Sequence, residues 1–133
     1  MNNIQAYVAA IAISAFCTVS NSARAELVQY DANAEQRFWG AMEVILQTNP
    51  TRADSFVLTV LRGLSSENKR KIVDGGITYC NARLSGTSRR EINQKYSQVV
   101  ATAKTKDERE NLITLLVTQS MAARAAFCPQ ISD

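Results

Sequence analysis

The sequence predicts an all-α protein, a small single-domain bundle of about five helices closed by one disulfide. Three observations lead there. Beyond residue 30, every segment longer than ten residues repeats its apolar positions at three-to-four spacing, and no period-two alternation persists. Helix-start and helix-stop residues punctuate those segments at close intervals. Once a leader is set aside, two cysteines remain, and two cysteines permit one pairing.

The leader is residues 1–25. The run from Ala6 to Val19 is nearly all apolar or small and carries no charge, and Ala23-Arg24-Ala25 offers the A-x-A pattern of signal-peptide cleavage. The predicted mature start is Glu26. The n-region has no Lys or Arg, so its positive charge is the α-amino group alone. The run falls short of the ~20 apolar residues that span a bilayer, and Ser14-Ala15-Phe16 before Cys17 does not match a lipoprotein signal. The expected product is exported, periplasmic or extracellular, with no transmembrane helix in the mature chain. Cleavage removes Cys17, and in an oxidising compartment Cys80 and Cys128 are expected to pair with each other.

The elements follow in order. Asp31 caps a helix over about 32–48, with Phe38, Met42, Ile45 and Leu46 inward and Asn49-Pro50 ending it. Thr51 starts the next with Asp54 as its capping-box partner; Phe56, Val57, Val60, Leu61 and Leu64 form the apolar stripe. Ser65 or Ser66 caps a third helix that reaches about Ser85, its inward face Ile72, Val73, Gly76, Ile77, Cys80 and Leu84. Gly75-Gly76 strains this assignment, because a glycine in a helix interior costs ~1 kcal/mol. The reading adopted is one helix, with Gly76 admitting a close neighbour one turn before Cys80. Gly86 stops it, and Ser88 with Glu91 forms the clearest capping box in the chain. Ile92, Tyr96, Val99, Val100 and Ala103 face inward from the fourth helix. The polar stretch at 104–111 leads into a long last helix with Leu112, Ile113, Leu116, Val117, Ser120, Ala123 and Phe127 inward, stopped by Pro129.

Composition excludes more chemistry than it supports. The chain has no histidine, which removes the usual general base, the Ser-His and Cys-His nucleophile pairs and the commonest transition-metal ligand. Zinc would need both cysteines and two carboxylates, so no metal or other cofactor is expected. Arg24 is the one charged side chain of the leader; without it the 15 basic and 12 acidic residues leave a balance of +2, which exerts no strong pull toward nucleic acid or anionic lipid. Asp107, Glu108 and Glu110 sit at a helix start, where carboxylates complement the helix dipole. Lys69-Arg70-Lys71 and Arg89-Arg90 lie near helix N-termini and form a candidate anion-contacting surface. Phe38 and Trp39 are neighbours on one helix and point in different directions, so one packs inward and Trp39 becomes a candidate partner anchor. Cys80, on an apolar stripe between Ile77 and Leu84, lacks the electropositive, exposed setting of a reactive thiol.

Phe56-Val57-Leu58 with Leu61-Arg62, then Gly76-x-x-x-Cys80, Gly86-x-Ser88 and Phe127-Cys128-Pro129 together resemble the bacterial "domain of unknown function 732" family. That family comprises small exported proteins whose two cysteines are taken to pair; the resemblance spans about residues 56–129 and implies compartment, helical fold and bridge. Phe127 stands where the family usually has tyrosine, and residues 26–55 read as an added N-terminal helical extension, with 130–133 a tail. The family supplies no substrate and no catalytic residue. The expected function is non-enzymatic binding or structural interaction with an envelope or extracellular partner. The competing readings are a carboxylate-based envelope hydrolase and an anion- or nucleic-acid-binding protein.

Overall fold

A computed structural model describes residues 27–132; the expected export signal and Cys17 lie outside them. Five helices follow in chain order: α1 (Ala32–Gln47), α2 (Arg52–Arg62), α3 (Ser66–Leu84), α4 (Arg89–Val100) and α5 (Lys106–Ala126). Each starts on the residue type that physical chemistry requires there. The Asp31 carboxylate accepts from the Ala34 N–H at 3.0 Å, and Ser65 Oγ accepts from the Asn68 N–H at 3.2 Å. Thr51 and Asp54 make a reciprocal capping box, as do Ser88 and Glu91, so two orphan N–H groups are satisfied at each start. The Ser88 backbone N–H, donating to Glu91 at 2.7 Å, holds that carboxyl below the usual range. Helix α3 ends where Gly86 takes φ +99°, the left-handed conformation that glycine adopts without a Cβ penalty.

The last helix is the axis of the bundle: α1, α2, α3 and α4 all pack against α5. Their buried side chains form one core containing Phe38, Met42, Leu46, Val57, Leu61, Ile72, Val73, Ile92, Leu112 and Leu116. Helix α3 runs unbroken through Gly75-Gly76, as expected, and both glycines are buried. At Gly76 the space a Cβ would need is taken by the Phe38 ring and Ala123. Phe38 in turn stacks on Phe127, with ring centroids 5.5 Å apart.

One expected face is corrected. Ile113 and Val117 of α5 point outward, 44% and 48% exposed, while Leu115, Gln119 and Ala122 are buried in their place. Packed against by four helices, α5 buries an arc of nearly half its circumference, wider than a single stripe and displaced by about one residue from the predicted one. Gln119 is satisfied in that interior: its Nε2 donates to the Ile72 carbonyl oxygen at 2.8 Å.

The fastening expected from the cysteines is present. Cys80 in α3 and Cys128, just past α5, form a disulfide with Cα atoms 5.8 Å apart. Both chain ends of the described region gather at the same end of α3. Asn81 grips the Val28 backbone, accepting from its N–H at 2.7 Å and donating to its carbonyl at 3.5 Å. Arg83 donates to the Ser132 carbonyl at 3.4 Å. Among the described residues no helix is long and apolar enough to cross a membrane.

Candidate functional site

A groove of about 240 Å³ lies between α1 and α2 and is closed at one side by the first turn of α3. Its floor is apolar, made by Met42, Leu58 and Leu61, and Trp39 forms a wall. The heptad-like spacing that buries Phe38 completely leaves Trp39 at the edge of the core, half-buried, with its ring perpendicular to Phe38 at 5.3 Å. Gly40 opens the mouth: apart from its own stretch of helix, no atom lies within 4 Å of where its Cβ would stand. The rim is charged. Arg62 of α2 donates to Glu43 of α1 through Nε and Nη2, both at 3.2 Å, which ties the two walls together. Lys69 of α3 completes the lining. Its side chain is half-buried and has no ion pair among the described residues.

Of the interaction residues expected from sequence, the fold therefore brings Trp39 and Lys69 together and separates the others. Neighbours on a helix diverge by about 100°, so Lys69 borders the groove while Arg70 and Lys71 turn to partners of their own. Arg70 donates to Asp74 at 2.9 Å, which holds the guanidinium more firmly protonated, and lies 3.7 Å over the Tyr30 ring. A hydrogen bond to Glu35 raises the Tyr30 pKa. Lys71 pairs with Glu67 at 3.8 Å. Arg89 lines a different cleft, and Arg90 is exposed beside it. The five cations thus sit in different local settings.

That second cleft, about 220 Å³ between α4 and α5, is lined by Arg89, Ile92, Tyr96, Ser120 and Arg124 together with Tyr79. Ser120 Oγ donates to the Leu116 carbonyl at 2.9 Å, so the Tyr96 hydroxyl at 2.7 Å donates to Ser120. Burial pushes the Tyr96 pKa up to about 12. This phenol is a firmly neutral hydrogen-bond donor at physiological pH, which suits a structural strut better than an acid or base.

The carboxylates at the start of α5 border a polar hollow with Arg52 and Phe56. Glu108 accepts from the Lys104 N–H at 2.9 Å, and its own N–H donates to the Thr105 hydroxyl at 3.1 Å. Glu110 pairs loosely with Lys106 at 3.8 Å. Glu108 thus caps the helix start while it lines the same hollow as Asp107 and Glu110. Among the described residues no three His, Cys, Asp or Glu side chains converge as a metal site.

Comparison of the chain with protein-family models, with curated proteins and with solved structures finds no match.

Proposed function

We propose that the protein is exported, sheds residues 1–25, and works outside the cytoplasm as a helical binding domain without catalytic chemistry of its own. The A-x-A pattern ahead of Glu26, the pairing of the two mature-chain cysteines and the resemblance to the exported family of unknown function support the compartment. The groove between α1 and α2 is its working surface. It takes an apolar or aromatic group that carries a carboxylate, whether on a small molecule or on a side chain of an envelope or extracellular partner.

One observation carries this reading: Lys69 stands half-buried and without an ion pair among the described residues, at the edge of an apolar trough walled by Trp39. Arg62 and Glu43 neutralise one another across the rim, which leaves the ammonium as the net charge of the groove. An entering anion gains a partner there while its apolar body covers Met42, Leu58 and Leu61. Recognition of this kind joins a mostly apolar lining to a few placed polar groups.

Trp39 is the chain's one tryptophan, so its emission reports directly on the groove. The test is titration of the mature protein with an arylpropanoate and with the matching amide. The carboxylate is expected to shift the emission saturably and to bind about tenfold more tightly than the amide, a difference of about 1.4 kcal/mol. Lys69→Gln should erase that preference and leave amide binding unchanged. Equal binding of acid and amide by the unaltered protein, or no saturable response to either, overturns the reading.

A further inference from the structure

Packing or backbone geometry explains Gly76 and Gly86 but not Gly40. Gly76 leaves its Cβ space to Phe38 and Ala123, and Gly86 takes the positive φ that ends α3. Gly40 lies well inside α1, and apart from its own stretch of helix no atom comes within 4 Å of where its Cβ would stand. A glycine in a helix interior is less stable than an alanine there, so the fold alone loses by keeping it. What a missing Cβ provides is close approach of something from outside.

Its position says what approaches. Gly40 lines the α1–α2 groove from α1, whereas Lys69 borders the same groove from α3. Four residues beyond Gly40, Val44 is 64% exposed, more than any other large apolar side chain among the described residues. An offset of four turns Val44 by about 40° around the helix and carries it about 6 Å along the axis. A group that leaves the trough across Gly40 therefore runs onto Val44.

We infer that Gly40 is the specificity-determining residue of the groove, and that it admits an elongated apolar carboxylate across α1. The charged end meets Lys69, one apolar group covers Met42, Leu58 and Leu61, and a second passes over Gly40 onto Val44. This rests on the groove reading above and adds to it the length of the ligand.

Calorimetric titration of the mature protein with phenylpropanoate, with biphenylylpropanoate and with the matching amides tests it. The shorter acid reaches only the trough; the longer one can also cross α1. The unaltered protein should bind the longer acid about tenfold more tightly, through the apolar area of the second ring. Gly40→Gln puts a polar side chain in the crossing path and should cut that preference to about twofold or less, with the affinity for phenylpropanoate unchanged. Glutamine is a better helix former than glycine, so this variant should be at least as stable as the parent, and its lost preference is no sign of damage. Val44→Ser should weaken the longer acid alone, by about threefold, through lost apolar contact. Equal binding of the two acids by the unaltered protein overturns the inference. So does a preference for the longer acid that survives Gly40→Gln, or a Gly40→Gln variant that weakens both acids alike. In each of these cases a retained preference for acid over amide leaves the groove reading standing, whereas loss of that preference, or no saturable binding, overturns both.

Discussion

Phe38 occupies the side-chain space that Gly76 lacks. A Cβ built on Gly76 would stand 3.0 Å from Phe38 Cε1 and 3.2 Å from the Ala123 Cβ, closer than such atoms normally come. Phe38 is fully buried and stacked on Phe127, so it cannot swing aside.

Gly76→Ala should therefore lower stability by about 1–2 kcal/mol, since overpacking costs more than the ~1 kcal/mol that alanine gains in a helix. Gly40→Ala is the control. It brings the same gain into open space and should stabilise by up to about 1 kcal/mol. Urea midpoints of the two variants, measured with the disulfide intact, should move in opposite directions.

The bridge between Cys80 and Cys128 closes a separation of 48 residues. Constraint of the unfolded chain by such a loop contributes about 4 kcal/mol in the chain-entropy account. Cys80→Ser with Cys128→Ser should lose most of that in denaturant unfolding. Thiol titration of the unaltered mature protein, denatured without reductant, should find no free thiol.

Gln119 tests how the bundle treats a buried amide. Gln119→Met should cost only about 1 kcal/mol, because the Ile72 carbonyl keeps its own helical N–H partner. Gln119→Glu should cost more at neutral pH, where an ionised carboxylate would face that carbonyl. Burial raises the folded-state pKa of this glutamate above its unfolded value of ~4.3. The penalty should vanish below that pH and grow as pH rises, a slope that chemical unfolding at several pH values will reveal.

Tyr96 predicts an alkaline limit. Its folded pKa of about 12 exceeds the unfolded value of ~10. Its contribution is complete below pH ~10 and is lost as pH rises toward about 12, where the phenol of the folded state finally ionises. The change amounts to about 2–3 kcal/mol. Tyr96→Phe should flatten this part of the stability profile and cost about 1 kcal/mol at neutral pH through the lost bond to Ser120.

Local chemistry was the legible part of this sequence. Asp31, Thr51 with Asp54, Ser65 and Ser88 with Glu91 act within a single turn, so spacing located four helix starts, the third to within the pair Ser65-Ser66. The inner face of α5 was not legible, because Ile113 and Val117 satisfy a helical period as well as Leu115 and Leu116 do, and only the number of surrounding helices decides which set is buried. Gln119 drew no reading from the sequence; its signal was its place among Leu112, Leu115 and Ala122. The groove needed residues 30 positions apart: Trp39 and Lys69 were each noticed, but their meeting depends on how α3 starts against α1 and α2. The basic run at 69–71 looked like one patch because adjacency along a chain hides divergence around a helix.

The grips of Asn81 on Val28 and of Arg83 on Ser132 fall within three residues of Cys80, so one end of α3 gathers the disulfide and both ends of the described chain. Chain ends are where a domain usually begins to fray. Here both are stitched to the place that a covalent bond already holds, so unzipping from either end has to start against the cross-link.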